Sequence, residues 1–263
     1  MFKGLCLLFL AFGGNQGKPI QQDALDAMIV GHWDRAKLIL QNMRKSGQKV
    51  DVKKLASFVE MSQSSIYNAN VLTGLKICKE FGAEFNKDEG ELLPIVVVHD
   101  KWGQVTERLL QYGADPNKTW VNVANRHSAF TPLAFAAMGT KTIVQAKLLL
   151  KYGAMPNGLS SMPIDEGSVS RRRVSPLMLA VRSPKLELIQ LLLSHKADVN
   201  LQCPEDGMTA LQFAARMDNS NGISVLLKNG AKKAIRNKKG QTALSVAKQY
   251  HAKRAIAILS KRG

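Results

Sequence analysis

Residues able to do acid–base, nucleophilic or metal chemistry are few in this chain, and they do not gather. The five histidines, His32, His99, His127, His195 and His251, fall in separate stretches without metal-ligand spacing. The sequence holds no Cys-x-x-Cys and no His-Glu-x-x-His, and its acidic residues are scattered without a convincing carboxylate pair. The run Gly13-Gly14-Asn15-Gln16-Gly17-Lys18 ends in lysine but lacks the full phosphate-loop pattern and a preceding strand. Cys6, Cys78 and Cys203 are too few and too scattered for a disulfide framework. Cys78 and Cys203 read as buried small hydrophobes. The expectation is a non-catalytic chain with no cofactor, no metal and no small-molecule substrate.

Positive charge is what the chain has in excess. Its 263 residues carry 37 Lys and Arg against 20 Asp and Glu, a formal net charge of +17. From Asn219 to Gly263 eleven Lys and Arg stand without a single Asp or Glu, among them Lys228, Lys232, Lys233, Arg236, Lys238 and Lys239. Arg171-Arg172-Arg173 form a second focus. Such a surface attracts polyanions, anionic membranes and acidic proteins at long range; the plainer reading is a solvated face that keeps the protein soluble. No helix-turn-helix or zinc-finger reader accompanies the charge, and only Trp120 and Tyr250 lie near it as stacking partners.

The elements that must position these cations repeat. One unit opens Thr131-Pro132-Leu133-Ala134-Phe135-Ala136-Ala137 and continues to Leu148-Leu149-Leu150-Lys151-Tyr152-Gly153-Ala154. Comparable units open at Ser175, Thr209 and Thr242, at spacings of 44, 34 and 33 residues. The third runs through Thr209-Ala210-Leu211-Gln212-Phe213-Ala214-Ala215 to Leu226-Leu227-Lys228-Asn229-Gly230-Ala231. This pattern resembles the ankyrin repeat, which opens Thr-Pro-Leu-His-x-Ala and closes Leu-Leu-x-x-Gly-Ala.

The resemblance covers nearly everything after Gln22. It implies an all-α fold, an ankyrin-repeat solenoid of stacked helix-turn-helix units with short hairpin fingers. Residues 23–263 divide into about seven units, the first two degenerate and the last a C-terminal cap. In the first, Ala24 to Ile29 and Ala36 to Leu40 flank a Gly31-His32 turn. Ile95 to Val98 looks by itself like a buried strand, but the repeat frame on both sides makes it helical.

Each recurring residue type has a physical part. The hydroxyls of Thr131, Thr209 and Thr242 can cap the first helix of their unit, and Pro132 and Pro176 fit its first turn. Leu133, Leu177, Leu211 and Leu244 are expected inside. Ala136, Ala180, Ala214 and Ala247 allow close helix contact. Gly153 and Gly230 let the chain leave the second helix. Lys196 stands at the equivalent glycine position, where a left-handed backbone costs it about 1 kcal/mol more. The long connections 118–130 and 157–174 are expected to emerge beside the fingers and to carry binding residues.

Residues 1–22 read either as a secretory signal, with Lys3 before the apolar run Leu5 to Phe12, or as a flexible leader. The first reading implies export, including delivery to another cell; the second implies a cytoplasmic protein. The functional expectation is a protein–protein interaction scaffold or adaptor that binds an acidic partner through its concave face and fingers. Met138, Arg182, Arg216 and Gln249 occupy equivalent variable positions near that face. Trp120 and Met217 add apolar anchors, and Arg171, Arg172, Arg173, Lys238 and Lys239 add charge. Two alternatives stand beside it: a nucleic-acid or anionic-membrane binding module, and a regulatory or inhibitor subunit of an enzyme.

Overall fold

A computed structural model describes residues 23–24, 27–28, 31–48, 65–83, 85, 93, 96–97, 100, 103–121, 128–139, 143–163, 171–183 and 186–261. The signal-or-leader segment 1–22 lies outside them, as does Arg262. The chain forms two compact units, 1–83 and 84–263.

In the first unit, α1 (Trp33–Lys45) packs on α2 (Ser65–Glu80). Ala36, Leu40 and Met43 recur at helical spacing and are buried from α1, and Val71, Leu75 and Cys78 are buried from α2. Burial also pushes the Cys78 thiol up to about 12, so it stays protonated and acts as a small hydrophobe.

The second unit is built from helix pairs. Its helices with described bounds are α3 (Gln104–Gln111), α4 (Pro132–Met138), α5 (Ile143–Lys151), α6 (Pro176–Ala180), α7 (Leu186–Ser194), α8 (Ala210–Arg216), α9 (Ser220–Lys228), α10 (Ala243–Gln249) and α11 (Lys253–Leu259). Within pairs, α4 packs on α5, α6 on α7, α8 on α9 and α10 on α11. Between pairs, the first helices α4, α6, α8 and α10 stack in one row and the second helices α3, α5, α7, α9 and α11 in another. Each pair is too small to enclose its own apolar face, so burial comes from the neighbours. Val96 and Val97 are helical and fully buried, as the repeat frame requires.

The alanines set the spacing of the first-helix row: Ala136, Ala180, Ala214 and Ala247 are all fully buried. Leu133, Leu177 and Leu211 are equally enclosed, whereas Leu244 is half-exposed. The caps form as their chemistry dictates. Thr131, Ser175, Thr209 and Thr242 accept hydrogen bonds from the backbone N–H groups of Ala134, Met178, Gln212 and Ser245 at 3.2, 3.3, 3.4 and 3.3 Å. At Thr209 the Gln212 carboxamide oxygen returns the bond to the Thr209 N–H at 2.9 Å, closing a capping box. Gly153 and Gly230 leave their helices at φ 89° and 86°, and Lys196 does so at φ 64°.

The described parts of the two long connections form strands. They pair as one antiparallel sheet in the order β1-β2-β3-β4: β1 (Trp120–Val121), β2 (Ala129–Phe130), β3 (Ser160–Pro163) and β4 (Arg171–Val174). Ala129 pairs with Ser161, so the two neighbouring fingers are joined laterally.

Candidate functional site

The first helices and the fingers that precede them make one face of the second unit. On α4, the Phe135 ring lies 4.9 Å from Phe130 of β2, and Met138 at the helix end is 45% exposed. Arg182 is exposed just beyond α6. Further along, cations and rings alternate: the Arg172 guanidinium lies 5.2 Å from the Phe213 ring of α8, and Arg216, one turn beyond Phe213, lies 4.9 Å from the Tyr250 ring. Arg172 and Phe213 are buried, so the surface end of the line is Arg216 on Tyr250, with Met217 beside it; Met217 and Tyr250 are both more than 40% exposed. On α10, Gln249 accepts a hydrogen bond from the Gln241 side chain at 2.6 Å, spanning the same face from its finger side.

Repeat register explains the alternation. Arg182, Arg216 and Gln249 are equivalent, as are Ser183, Met217 and Tyr250 one residue later. From the first position of one pair, Arg216 reaches the second position of the next at Tyr250. The register therefore exposes methionine, arginine and tyrosine side by side, the residue types that dominate interface energies.

The cations of the long finger serve a different role. Arg173 is half-exposed, and both its backbone N–H and its Nε donate to the Glu205 carboxylate at 2.7 Å. Arg172 is nearly buried, with Nε 2.7 Å from Asp206 Oδ2; the two atoms lack the alignment of a hydrogen bond, so the contact is a charge pair. Burial raises the Glu205 carboxyl, but hydrogen bonds from the Arg173 backbone and side chain and from the Cys203 thiol outweigh it and hold the group at about 2. The next finger is tied in as well. Lys238 donates from Nζ to the Pro204 carbonyl at 2.6 Å and from its backbone N–H to the Asp206 carbonyl at 2.8 Å. Gly207, at φ 72°, makes room for this approach: a Cβ there would sit 2.9 Å from the Lys238 nitrogen.

The sequence-predicted residues thus fall into three groups. Met138, Arg182, Arg216, Met217 and Gln249 lie on the first-helix face. Arg172, Arg173 and Lys238 bind the fingers to one another, while Lys239 is exposed at the finger tip. Trp120 and Arg171 contribute backbone to β1 and β4, and their side chains lie outside the described residues. Sequence reasoning missed Tyr250 as a member of the face, although its register with Met217 was there to be read. It also missed Glu205 and Asp206, which only the folded fingers bring against the arginines. Among the described residues no group of three or more His, Cys, Asp or Glu could hold a metal ion.

Stacked helix pairs, hydroxyl caps, left-handed exits and paired fingers define a repeat scaffold. The family model for ankyrin repeats (3 copies) matches residues 93–203 and 177–263, and the chain belongs to the ankyrin repeat family. It is similar to transient receptor potential cation channel subfamily A member 1 of Homo sapiens, 34% identical over 134 residues, which is 51% of this chain and 11% of that protein. An ankyrin repeat protein of Fowlpox virus (strain NVSL) is 37% identical over 91 residues, 35% of this chain and 26% of the viral one. Neurogenic locus notch homolog protein 1 of Xenopus laevis is 40% identical over 73 residues, 28% of this chain and 3% of the relative. The chain therefore spans 26% or less of the length of these relatives. Ankyrin repeats generally mediate protein–protein interactions and are non-catalytic.

Proposed function

We propose that this chain is a non-catalytic scaffold holding an acidic segment of a protein partner against its first helices and fingers, the concave side in this family. Met138, Arg182, Arg216, Met217 and Gln249 make the contact, Tyr250 joins them, and Lys239 lies at the margin. The observation that carries the reading is the Arg216 guanidinium stacked on the exposed Tyr250 ring. It sets positive charge on apolar surface along one face, and Met138 and Met217 extend the apolar part. An arginine stacked on a ring keeps its N–H fork for a carboxylate, a geometry lysine does not reproduce. Arg172 and Arg173 support this surface from beneath by fixing the fingers.

Affinity capture with the full chain and with the double variant Arg182→Glu, Arg216→Glu tests the reading. The wild-type chain is expected to retain a reproducible protein partner that the variant loses while its melting temperature is kept. Equal capture by both chains contradicts the assignment to this face.

A further inference from the structure

A second charged surface, separate from that face, lies where the second helices end. Lys228 ends α9, Lys232 and Lys233 stand in the turn that follows, and Lys261 follows α11. The two stretches meet, because Lys233 Nζ donates to the Lys261 carbonyl at 2.8 Å. The side chains of Lys228, Lys232 and Lys261 have no hydrogen-bond or carboxylate partner among the described residues.

Cations near a helix C-terminus offset its dipole, and that accounts for Lys228 and Lys261. It does not account for the turn between them. Equivalent turns earlier in the chain carry Asp115 and Asn117, Met155 and Asn157, then Asp198 and Asn200. Each asparagine binds the backbone of the turn after it: Asn117 accepts from Met155 N–H, Asn157 from Asp198 N–H and Asn200 from Lys232 N–H. In the next turn Lys232 stands at the Asp198 position and Ala234 at the Asn200 position. The bridging asparagine is gone and a cation replaces the aspartate. Of the five acidic residues in 186–261, Glu205, Asp206 and Asp218 are paired with Arg173, Arg172 and Arg254, and neither Glu187 nor Asp198 forms an ion pair with these lysines among the described residues.

We propose that this lysine edge attaches the protein to an anionic lipid bilayer. The residue types select among polyanions. All four groups are lysines, compact point charges without arginine's planar fork, which suits a headgroup surface that rewards charge density over directed bonds. Nucleic-acid grooves add aromatic stacking platforms, and neither 228–239 nor 253–261 contains an aromatic residue. The attachment is peripheral; no helix among the described residues is long and apolar enough to cross a membrane.

Vesicle flotation of the full chain tests this. With vesicles of equal parts phosphatidylserine and phosphatidylcholine at low salt the protein is expected to float. With phosphatidylcholine alone it is expected to stay behind, and added salt is expected to release it. The variant Lys228→Gln, Lys232→Gln, Lys233→Gln, Lys261→Gln is expected to lose roughly tenfold or more in vesicle affinity. A control set that removes the same charge elsewhere, Arg35→Gln, Lys37→Gln, Arg44→Gln and Lys45→Gln, all exposed on α1, is expected to lose less. No flotation on phosphatidylserine at low salt, equal flotation of the lysine-edge variant with its melting temperature intact, or equal losses in the two variants would each overturn the proposal. So would polyuridylate displacing the protein from the vesicles at equal phosphate concentration.

Discussion

Glu205 binds β4 to the neighbouring finger through one carboxylate that accepts from both the backbone and the side chain of Arg173. Its folded value of about 2 lies below the ordinary 4.5. A lowered acid stabilises the fold fully above its ordinary value and loses that contribution as pH falls through the folded one. Glu205→Gln is therefore expected to lower the melting temperature at neutral pH, and the gap to wild type is expected to close between about pH 4.5 and pH 2. Melting curves of both chains across that window check it; a gap independent of pH would contradict the role given to the ionised group. Lys196 makes the opposite case, a residue at odds with its backbone. At φ 64° it occupies the place of Gly153 and Gly230, so Lys196→Gly is expected to stabilise the protein by about 1 kcal/mol in chemical denaturation.

At the scale of elements, the turns after the second helices are joined by asparagine. Asn200 accepts from Lys232 N–H at 2.9 Å and donates to the Gly230 carbonyl at 3.1 Å, so one side chain serves both sides of the next turn. Asn117 does the same for Met155 N–H and the Gly153 carbonyl. Asn200→Ala is expected to destabilise by about 1 kcal/mol for these partly solvated bonds, with faster amide exchange at Lys232; unchanged exchange there would remove Asn200 from that part. Helices, caps and inward faces were legible in the sequence because they depend on neighbours three or four residues away. Thr209 announces its cap, and Ala214 its contact, within a single repeat. The lateral pairing of β2 with β3, the Arg172–Asp206 pair and the asparagine bridges were not, because each joins residues in successive repeats, and its partner follows from stacking geometry. Leu244 departs from Leu133, Leu177 and Leu211 although its local pattern is the same: among the described residues α10 packs on α8 and α11, with no further first helix against it.

At the scale of the whole molecule, the repeat frame separates positions that carry the fold from positions that carry recognition. Ala214 is fully enclosed within the first-helix row and Lys239 is exposed on a finger tip. Ala214→Glu is expected to cost about 3 kcal/mol or more, from overpacking and burial of a charge, while Lys239→Glu is expected to stay within about 0.5 kcal/mol of wild type. Comparable denaturation midpoints would overturn the frame. Recognition then divides by kinetics. Arg182→Ala and Arg216→Ala are expected mainly to speed dissociation of an acidic partner, and Lys238→Gln with Lys239→Gln to slow association and weaken its salt dependence. The central claim is that the partner sits on the first helices and fingers, and hydrogen–deuterium exchange of the chain with and without the captured partner tests it most directly. Protection is predicted in 132–138, 176–183, 210–217 and 241–250, with α5, α7, α9 and α11 unchanged. Protection confined to those second helices would contradict it.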